Sequence, residues 1–340
     1  MALQFWARTR DFLRRIFRRE VAPGYFESDA KFSWHGWLAT APSVWPRREY
    51  LVYVPRGWSR WRRAPLLVLL HGCKQTPEEI AAATRIAARA DAEGWLVLLP
   101  RQKSAANPWC CWNWFDSRTV GGVGEAAIIA AQIKTVAAHY RADPRRVFVA
   151  GLSAGGAFAA VIGVRHAGLV RGVIVHSGLA CGAAATTVTA LDVMKRGPNT
   201  DVEAIAADAR RRLPADALPV PLLALHGEQD GVVAPRNAVA LVRQYLRLNG
   251  HPAVDSPGAR AAELPAADAT SRHVDPGGRV VTTHDWRVGG RLVVRLVEIG
   301  GLGHAWSGGD SHYAYSDAHP PDATALIATF AREAQGPVTP

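Results

Sequence analysis

The chain has 340 residues, of which 49% are hydrophobic and 20% are charged. This balance is typical of a folded protein and excludes an intrinsically disordered chain. No stretch reaches the roughly 18 uninterrupted apolar residues that a membrane-spanning helix needs. The formal net charge of +11 favours anionic ligands or surfaces. No nucleic-acid-binding motif accompanies that charge, so no nucleic acid is expected as a partner.

Residues 1–30 form a basic amphipathic segment ahead of the main body of the chain. Within residues 1–22, apolar side chains recur at helical spacing with arginines between them. These charges interrupt every apolar run, so the segment lacks the hydrophobic region of a cleavable signal peptide. Two alternatives stay open: the segment lies on an anionic membrane or a lipid-coated granule, or it packs against its own domain.

Predicted strands and helices alternate from residue 31 onward. The predicted strands are 32–40, 48–57, 64–72, 95–100, 145–151, 172–178, 220–227 and 291–301. The predicted helices are 77–94, 124–140, an Ala-rich one that begins at Ser153, 235–248 and 322–335. Such alternation predicts a single α/β domain over residues 31–336, with a mostly parallel, doubly wound sheet covered by helices on both faces. Residues 251–280, rich in Ala, Pro, Asp and Gly, are interpreted as a surface insertion loop.

The stretch Gly-Leu-Ser-Ala-Gly at residues 151–155 joins a predicted strand to the Ala-rich helix. A serine between two glycines at a strand-to-helix turn is typical of a nucleophile elbow, which exposes the serine hydroxyl. A Cβ at either glycine would crowd such a turn. Ser153 is therefore the predicted nucleophile.

A serine nucleophile needs a neighbouring base, and His304 is the predicted one. It follows the strand 291–301 in a glycine-rich loop that could carry an imidazole over the sheet. The other histidines lie inside strands, in turns with another role or at the surface. His304 would take the serine proton and later give it to the leaving alkoxide.

The acid that orients the histidine should follow a strand between Ser153 and His304, because triads on such sheets run in the order Ser, Asp or Glu, His. Asp230 and Glu228 both follow the strand 220–227, at the edge of the sheet where active sites lie. Asp230 is favoured because the turn after it can aim a short carboxylate back at the histidine. Asp192 and Asp285 are the weaker alternatives.

The oxyanion hole on such a sheet combines the amide after the nucleophile with one from the loop after an early strand. In this chain these are the amides of Ala154 and of Cys73, which stands in the turn LLHGCKQ. Gly72 gives that turn its backbone freedom.

The loop NPWCCWNWF at residues 107–115 is unusually dense in aromatic residues. Either it forms a small core beneath a long loop, or Trp112 and Trp114 line a substrate pocket near Ser153. Trp306 could close the same pocket. The nearby GGVGE at residues 121–125 lacks the Lys-Ser/Thr of a phosphate loop and is interpreted as a helix start.

The four cysteines are Cys73, Cys110, Cys111 and Cys181. Their spacing fits no zinc site, and neither a metal nor a cofactor is expected. The sequence allows one disulfide from Cys73 to Cys110 or Cys111, and it equally allows four buried thiols.

The motifs LLHGCKQ, CCWNWF, GEAA, VFVAGLSAGGA, VHSGLACG, HGEQD and GHAWSGG follow one another between residues 50 and 309. In this order the chain resembles the polyhydroxybutyrate-depolymerase-type esterases, a family that includes feruloyl and acetyl-xylan esterases. The resemblance implies an α/β-hydrolase fold, a Ser153–Asp230–His304 triad, and the Cys73 and Ala154 amides as oxyanion donors. It also implies a disulfide from Cys73 to the cysteine before Trp112, and the doubled Cys110-Cys111 leaves that partner open.

The expected function is a serine carboxylester hydrolase that acts through an acyl-enzyme on short hydroxyacyl or aryl esters. No separate substrate-binding module or Thr/Ser-rich linker is seen, which favours small or soluble esters over insoluble polymer. The alternatives are an acyltransferase on the same triad, or a granule- or membrane-surface-binding protein with a vestigial triad. The resemblance suggests an extracellular location. The lack of a cleavable signal peptide makes the cytoplasm, or a granule or membrane surface, the alternative.

Overall fold

The computed structural model describes residues 24–29, 48–214, 217–255 and 263–334. The predicted strand at 32–40 and the amphipathic residues 1–22 lie outside the described residues. Every helix within the described ranges falls short of the length and apolarity needed to cross a membrane.

A ten-stranded sheet forms the centre of the described protein. In chain order, the strands of this sheet are β1 (Tyr25–Asp29), β2 (Tyr50–Val54), β3 (Ala64–Leu70), β4 (Leu96–Pro100), β5 (Ala142–Leu152), β6 (Val173–His176), β7 (Leu222–Gly227), β8 (Ala269–Val274), β9 (Val280–Val288) and β10 (Arg291–Ile299). Their order across the sheet is β1-β2-β4-β3-β5-β6-β7-β10-β9-β8. The six strands from β4 to β10 in this order are parallel, and antiparallel pairs extend both edges. A separate pair, β11 (Trp306–Ser307) and β12 (Ser316–Asp317), lies beyond β10.

Helices cover both faces of this sheet. They are α1 (Pro77–Ala83), α2 (Ile86–Glu93), α3 (Ser117–Val120), α4 (Glu125–His139), α5 (Ala154–Arg165), α6 (Thr187–Arg196), α7 (Val202–Arg211), α8 (Arg236–Asn249) and α9 (Ala323–Glu333), with 3-10 turns at Ala167–Leu169 and Pro252–Val254. The apolar residues of α4 to α8 belong to one core and those of α1, α2 and α9 to another. The predicted α/β fold is therefore confirmed.

The strand β3 shows why the central sequence is apolar throughout. Leu66, Val68 and Leu70 point into one core, and Leu67 and Leu69 point into the other. Side chains alternate between the faces of a strand, so a strand covered on both faces must be apolar at every position.

The structure differs from the sequence-based expectation at several elements. The helix predicted at 77–94 is broken into α1 and α2, because Arg85 adopts a left-handed φ of 52° between them. Helices α6 and α7 were not predicted. Residues 269–274, inside the predicted 251–280 insertion loop, form the edge strand β8, and all six of its side chains are exposed. A strand without a buried face has no alternation of apolar residues, so no pattern in the sequence predicts it.

Candidate active site

Ser153 stands at a sharp turn between β5 and α5. Its φ of 57° and ψ of −118° lie in a region that few non-glycine residues adopt. A Cβ on Gly151 would lie 2.3 Å from the Gly155 backbone, and a Cβ on Gly155 would lie 2.3 Å from the Leu70 carbonyl oxygen. Only glycine fits these two positions, and the close approach brings the start of α5 against the end of β3.

Asp230 and His304 meet at the carboxyl ends of β7 and β10. His304 Nδ1 lies 2.8 Å from Asp230 Oδ2, and the other oxygen, Oδ1, accepts hydrogen bonds from the Val232 and Val233 amides at 2.9 and 2.8 Å. Burial pulls the pKa of Asp230 upward. The hydrogen bond from His304 and those from the backbone outweigh burial and hold that pKa below its usual range. Asp230 is therefore an ionised acceptor, and it leaves His304 Nε2 available as the proton acceptor.

The alternative acids lie elsewhere. Glu228 is exposed to solvent. Asp192 pairs with Arg196 on α6, and Asp285 accepts two hydrogen bonds from Arg295 on the neighbouring strand, at 2.7 Å each. Among the described carboxylates, Asp230 is the one bonded to His304.

Ser153 shares the sheet edge with this pair. The Ser153 amide donates to the His176 carbonyl at the end of β6, at 2.9 Å, and β6 lies between β5 and β7. Within the described residues, no hydrogen bond joins the Ser153 hydroxyl to His304. Catalytic hydrogen bonds in the absence of substrate are often long and tighten in the reacting complex. Ser153 and His304 are each partly exposed as whole residues, and 7% of the His304 side chain is exposed.

The turn after β3 presents the Cys73 amide, for which no acceptor is found among the described residues. Gly72 accepts a hydrogen bond at its carbonyl from His71 Nδ1, at 2.8 Å. Because a trans peptide points its C=O and N–H in opposite directions, this bond fixes the direction of the Cys73 N–H in the same peptide. Neither the Cys73 N–H nor the Ala154 N–H has a hydrogen-bond acceptor within the described part of the chain. Two free amides beside a serine can stabilise an oxyanion.

A disulfide ties this turn to the aromatic loop. Cys73 is bonded to Cys111, and the free thiols are Cys110 and the buried Cys181. The Lys74 amide also donates to the Trp109 carbonyl, at 2.8 Å. Of the two partners that the sequence left open, the structure selects Cys111.

Three further histidines near the sheet edge are buried and neutral. Burial lowers the pKa of His71 to about 4 and of His176 to about 3, and it also lowers the pKa of His226. His71 Nε2 accepts from the Gln102 amide at 3.2 Å, and His226 Nε2 lies 2.8 Å from the Val233 carbonyl. Their ring nitrogens are engaged with the backbone, so these histidines position the chain around the site.

The tryptophans predicted to line the pocket are core residues. Trp112 is 1% exposed, Trp114 is 4% exposed and Trp306 is 0% exposed. Trp112 packs on Phe158, and Trp306 stacks on His176 with ring centres 5.2 Å apart. The prediction of substrate contact is therefore wrong for these side chains. Trp112 and Trp114 belong to the core, as the small-core alternative expects. A dense run of aromatic residues does not tell which way the side chains face, so the sequence left both alternatives open.

Trp112 nevertheless serves the turn in a way that the sequence analysis missed. Its indole N–H donates to the His71 carbonyl at 3.0 Å. Gln75 was also missed: its amide oxygen accepts from the Gly72 N–H at 2.8 Å. The sequence signal for Gln75 was its place beside the His-Gly-Cys turn, whereas Trp112 stands in the separate loop at residues 107–115 and had no such signal.

The described residues contain no group of three or more His, Cys, Asp or Glu side chains that could hold a metal ion.

This chain matches a known protein family. The family described as Esterase PHB depolymerase matches residues 48–270. Poly(3-hydroxyalkanoate) depolymerase C of Paucimonas lemoignei is 31% identical over 209 residues, which cover 58% of this chain and 48% of that protein. Feruloyl esterase B of Neurospora crassa is 29% identical over 193 residues, which cover 54% and 65%. This chain thus spans about half to two thirds of the length of these relatives.

Solved structures show the same fold. The acetyl xylan esterase from Aspergillus awamori superimposes with a TM-score of 0.65, covering 82% of this chain and 94% of that one. Its sequence identity is 17%, so this likeness concerns the fold alone.

Proposed function

Since this chain belongs to the Esterase PHB depolymerase family, we propose that it is a serine carboxylester hydrolase with Ser153 as nucleophile, His304 as base and Asp230 as orienting acid. The observation that carries the proposal is the 2.8 Å hydrogen bond between His304 and Asp230, at the sheet edge where the Ser153 turn also ends. The names of the relatives lead us to propose short hydroxyacyl or aryl esters as substrates.

The first half-reaction forms an acyl-enzyme. Ser153 Oγ attacks the ester carbonyl carbon while His304 Nε2 takes the hydroxyl proton, and Asp230 stabilises the resulting imidazolium. The carbonyl oxygen becomes an oxyanion that accepts from the Cys73 and Ala154 amides, each contributing about 3 kcal/mol. His304 then returns its proton to the departing alcohol as the carbon–oxygen bond breaks.

The second half-reaction hydrolyses the acyl-serine. His304 takes a proton from water, the hydroxide oxygen attacks the acyl carbon, and the same two amides hold the second oxyanion. Ser153 leaves with the proton from His304, and the carboxylic acid is released.

Labelling with a fluorophosphonate tests the assignment directly. We expect one covalent adduct that maps to Ser153, together with hydrolysis of p-nitrophenyl butyrate, and Ser153→Ala should abolish both. Ser271→Ala, on the exposed edge strand β8, is the matched control and should retain both. Hydrolysis at the wild-type rate by folded Ser153→Ala would overturn the proposal. p-Nitrophenyl acetate, p-nitrophenyl octanoate and methyl ferulate would then rank the acyl groups.

Surface association through residues 1–22 stays a prediction, because those residues lie outside the described ranges. Deletion of residues 1–22 should abolish binding to vesicles of anionic lipid and leave hydrolysis of p-nitrophenyl butyrate unchanged. Unchanged vesicle binding after the deletion would contradict this.

A further inference from the structure

Gln75 is a buried side chain that joins two distant segments of the chain. It is 4% exposed. Its Oε1 accepts from the Gly72 amide at 2.8 Å, and its Nε2 donates to the Ala314 carbonyl, 239 positions away, at 3.2 Å. Both ends of the amide are therefore satisfied by backbone groups. Loss of either bond would leave a polar group unpaired at a part-buried site.

On one side, Gln75 fixes the turn that presents the Cys73 amide. The peptide between His71 and Gly72 is held at its N–H by Gln75 and at its C=O by Trp112. The next peptide carries the Cys73 N–H. A shift of the first peptide would turn the second one, so Gln75 acts on the direction of the Cys73 N–H through one covalent link.

On the other side, Gln75 fixes the loop that covers His304. The Ala314 carbonyl belongs to the peptide that leads into Tyr315, whose φ of 59° is left-handed. The Tyr315 carbonyl accepts from the Trp306 amide at 2.8 Å. Hydrogen bonds thus hold the peptides on both sides of Tyr315. This places the Tyr315 ring edge-on to His304, with ring centres 6.1 Å apart.

We propose that Gln75 is a positioning residue that keeps the oxyanion turn (residues 71–75) and the His304 loop (residues 303–317) in one fixed relation. The inference rests on the proposed esterase function, because it assigns a consequence to the Cys73 amide and to His304 together. Donor and base must be placed correctly at the same time in the transition state, and a misplacement of about 1 Å can cost about 100-fold in rate.

Two substitutions at Gln75 and one elsewhere test this. Gln75→Met removes both hydrogen bonds at similar volume. Gln75→Glu keeps an acceptor for the Gly72 amide and replaces the donor to Ala314. The control is Gln244→Met, because Gln244 is also buried and also bonds the backbone of two segments, at Cys181 and Val202. For each variant we would measure kcat and KM for p-nitrophenyl butyrate, inhibition by butylboronic acid and the urea midpoint of unfolding.

We expect Gln75→Met to lower kcat by roughly 10- to 100-fold with KM changed less than about 3-fold. Inhibition by the boronic acid, which forms a tetrahedral anionic adduct on serine, should weaken by a similar factor. Gln75→Glu should lose less than Gln75→Met. Gln244→Met should lower the urea midpoint and retain kcat.

Three results would overturn the proposal: wild-type kcat in folded Gln75→Met, a loss confined to KM, or an equal loss of kcat in Gln244→Met. If Gln75→Met does not fold, Gln75→Glu decides: a reduced kcat at unchanged KM supports the role, and wild-type kcat overturns it. Wild-type protein without Ser153-dependent hydrolysis would instead mean that the proposed function has failed.

Discussion

The turn at residues 71–75 and the loop at residues 303–317 both contribute to the proposed site, but they hold their functional atoms differently. In the turn the functional atom is a backbone N–H, and its direction is set by the neighbouring residues that bond the adjoining peptides. In the loop the functional atom belongs to the His304 side chain, which is held by Asp230. Sensitivity to mutation should therefore spread over many residues in the turn, whereas for the loop it should concentrate on His304 and on Asp230, its partner after β7.

The largest expected effect tests the bond that holds His304. Asp230→Asn keeps the shape of the side chain but removes the charge that stabilises the imidazolium and fixes its tautomer. We expect kcat to fall by about 10³- to 10⁴-fold. Glu228→Gln, at the exposed carboxylate two positions earlier, should retain kcat within about 2-fold. The same loss in both variants would mean that the general charge of this edge matters rather than the bond to His304.

The next effect tests the covalent restraint of the turn. Replacing Cys73 and Cys111 together by Ser opens a link between residues 38 positions apart, and a loop of that size corresponds to roughly 3–4 kcal/mol of unfolding free energy. We also expect kcat to fall by about 10-fold, because the Cys73 amide loses its restraint. Cys110→Ser, next to the disulfide but outside it, is the matched control for both urea unfolding and kcat. A double variant with wild-type kcat would show that hydrogen bonds alone hold the turn.

The unfolding free energy depends on pH through His71, a residue of the turn. Burial lowers the pKa of His71 to about 4, whereas an unfolded histidine has a pKa of about 6.5. Between these values the unfolded state binds the proton and the folded state does not. The unfolding free energy therefore falls as pH drops from 6.5 towards 4, and His71 accounts for about 2–3 kcal/mol of that fall.

His71→Asn checks this contribution. The Asn amide N–H can replace Nδ1 as donor to the Gly72 carbonyl, and it does not titrate. Urea unfolding at pH 7 and pH 4.5 should show a smaller loss of stability in the variant than in the wild type. Parallel losses in the two proteins would contradict a buried neutral His71.

The smallest effect concerns a single hydrogen bond of the turn. Trp112→Phe removes the indole N–H that bonds the His71 carbonyl and keeps an aromatic ring in the core. We expect about 1–2 kcal/mol of lost stability and a several-fold lower kcat at unchanged KM. Trp114→Phe alters the same buried loop without touching that carbonyl, so its kcat should stay at the wild-type value. Equal effects on kcat would assign both tryptophans to packing.

The parallel strands and the sheet edge that carries the proposed site could be predicted, because short segments of the sequence are enough to show apolar runs and strand ends. Strands such as β3 are apolar at every position, and the residues that follow parallel strands must meet at one edge of the sheet. That rule brought Asp230 and His304 together in the prediction, and the structure places them in contact. The edge strand β8 carries no such pattern, because both of its faces are open to water.

The roles of the tryptophans and of Gln75 could not be predicted, because they depend on contacts between distant segments. Composition marks residues 107–115 as aromatic, but burial beneath the turn depends on the disulfide and on where α5 packs. Adjacent cysteines have almost the same sequence distance from Cys73, so spacing could not choose between them. Gln75 has the appearance of an ordinary polar residue at the end of a turn, because its second partner, Ala314, stands 239 positions away in the sequence.

The bond between Gln75 and Ala314 also has a consequence for biosynthesis. Its two residues stand 239 positions apart, so a growing chain contains Ser153 and the Cys73 turn long before the His304 loop has been made. Contacts of such long range form late, after the intervening chain has been ordered. A nascent chain that has not yet reached residue 304 would therefore carry the proposed nucleophile without its proposed base, and ester hydrolysis would begin only after the loop that carries His304 has been made.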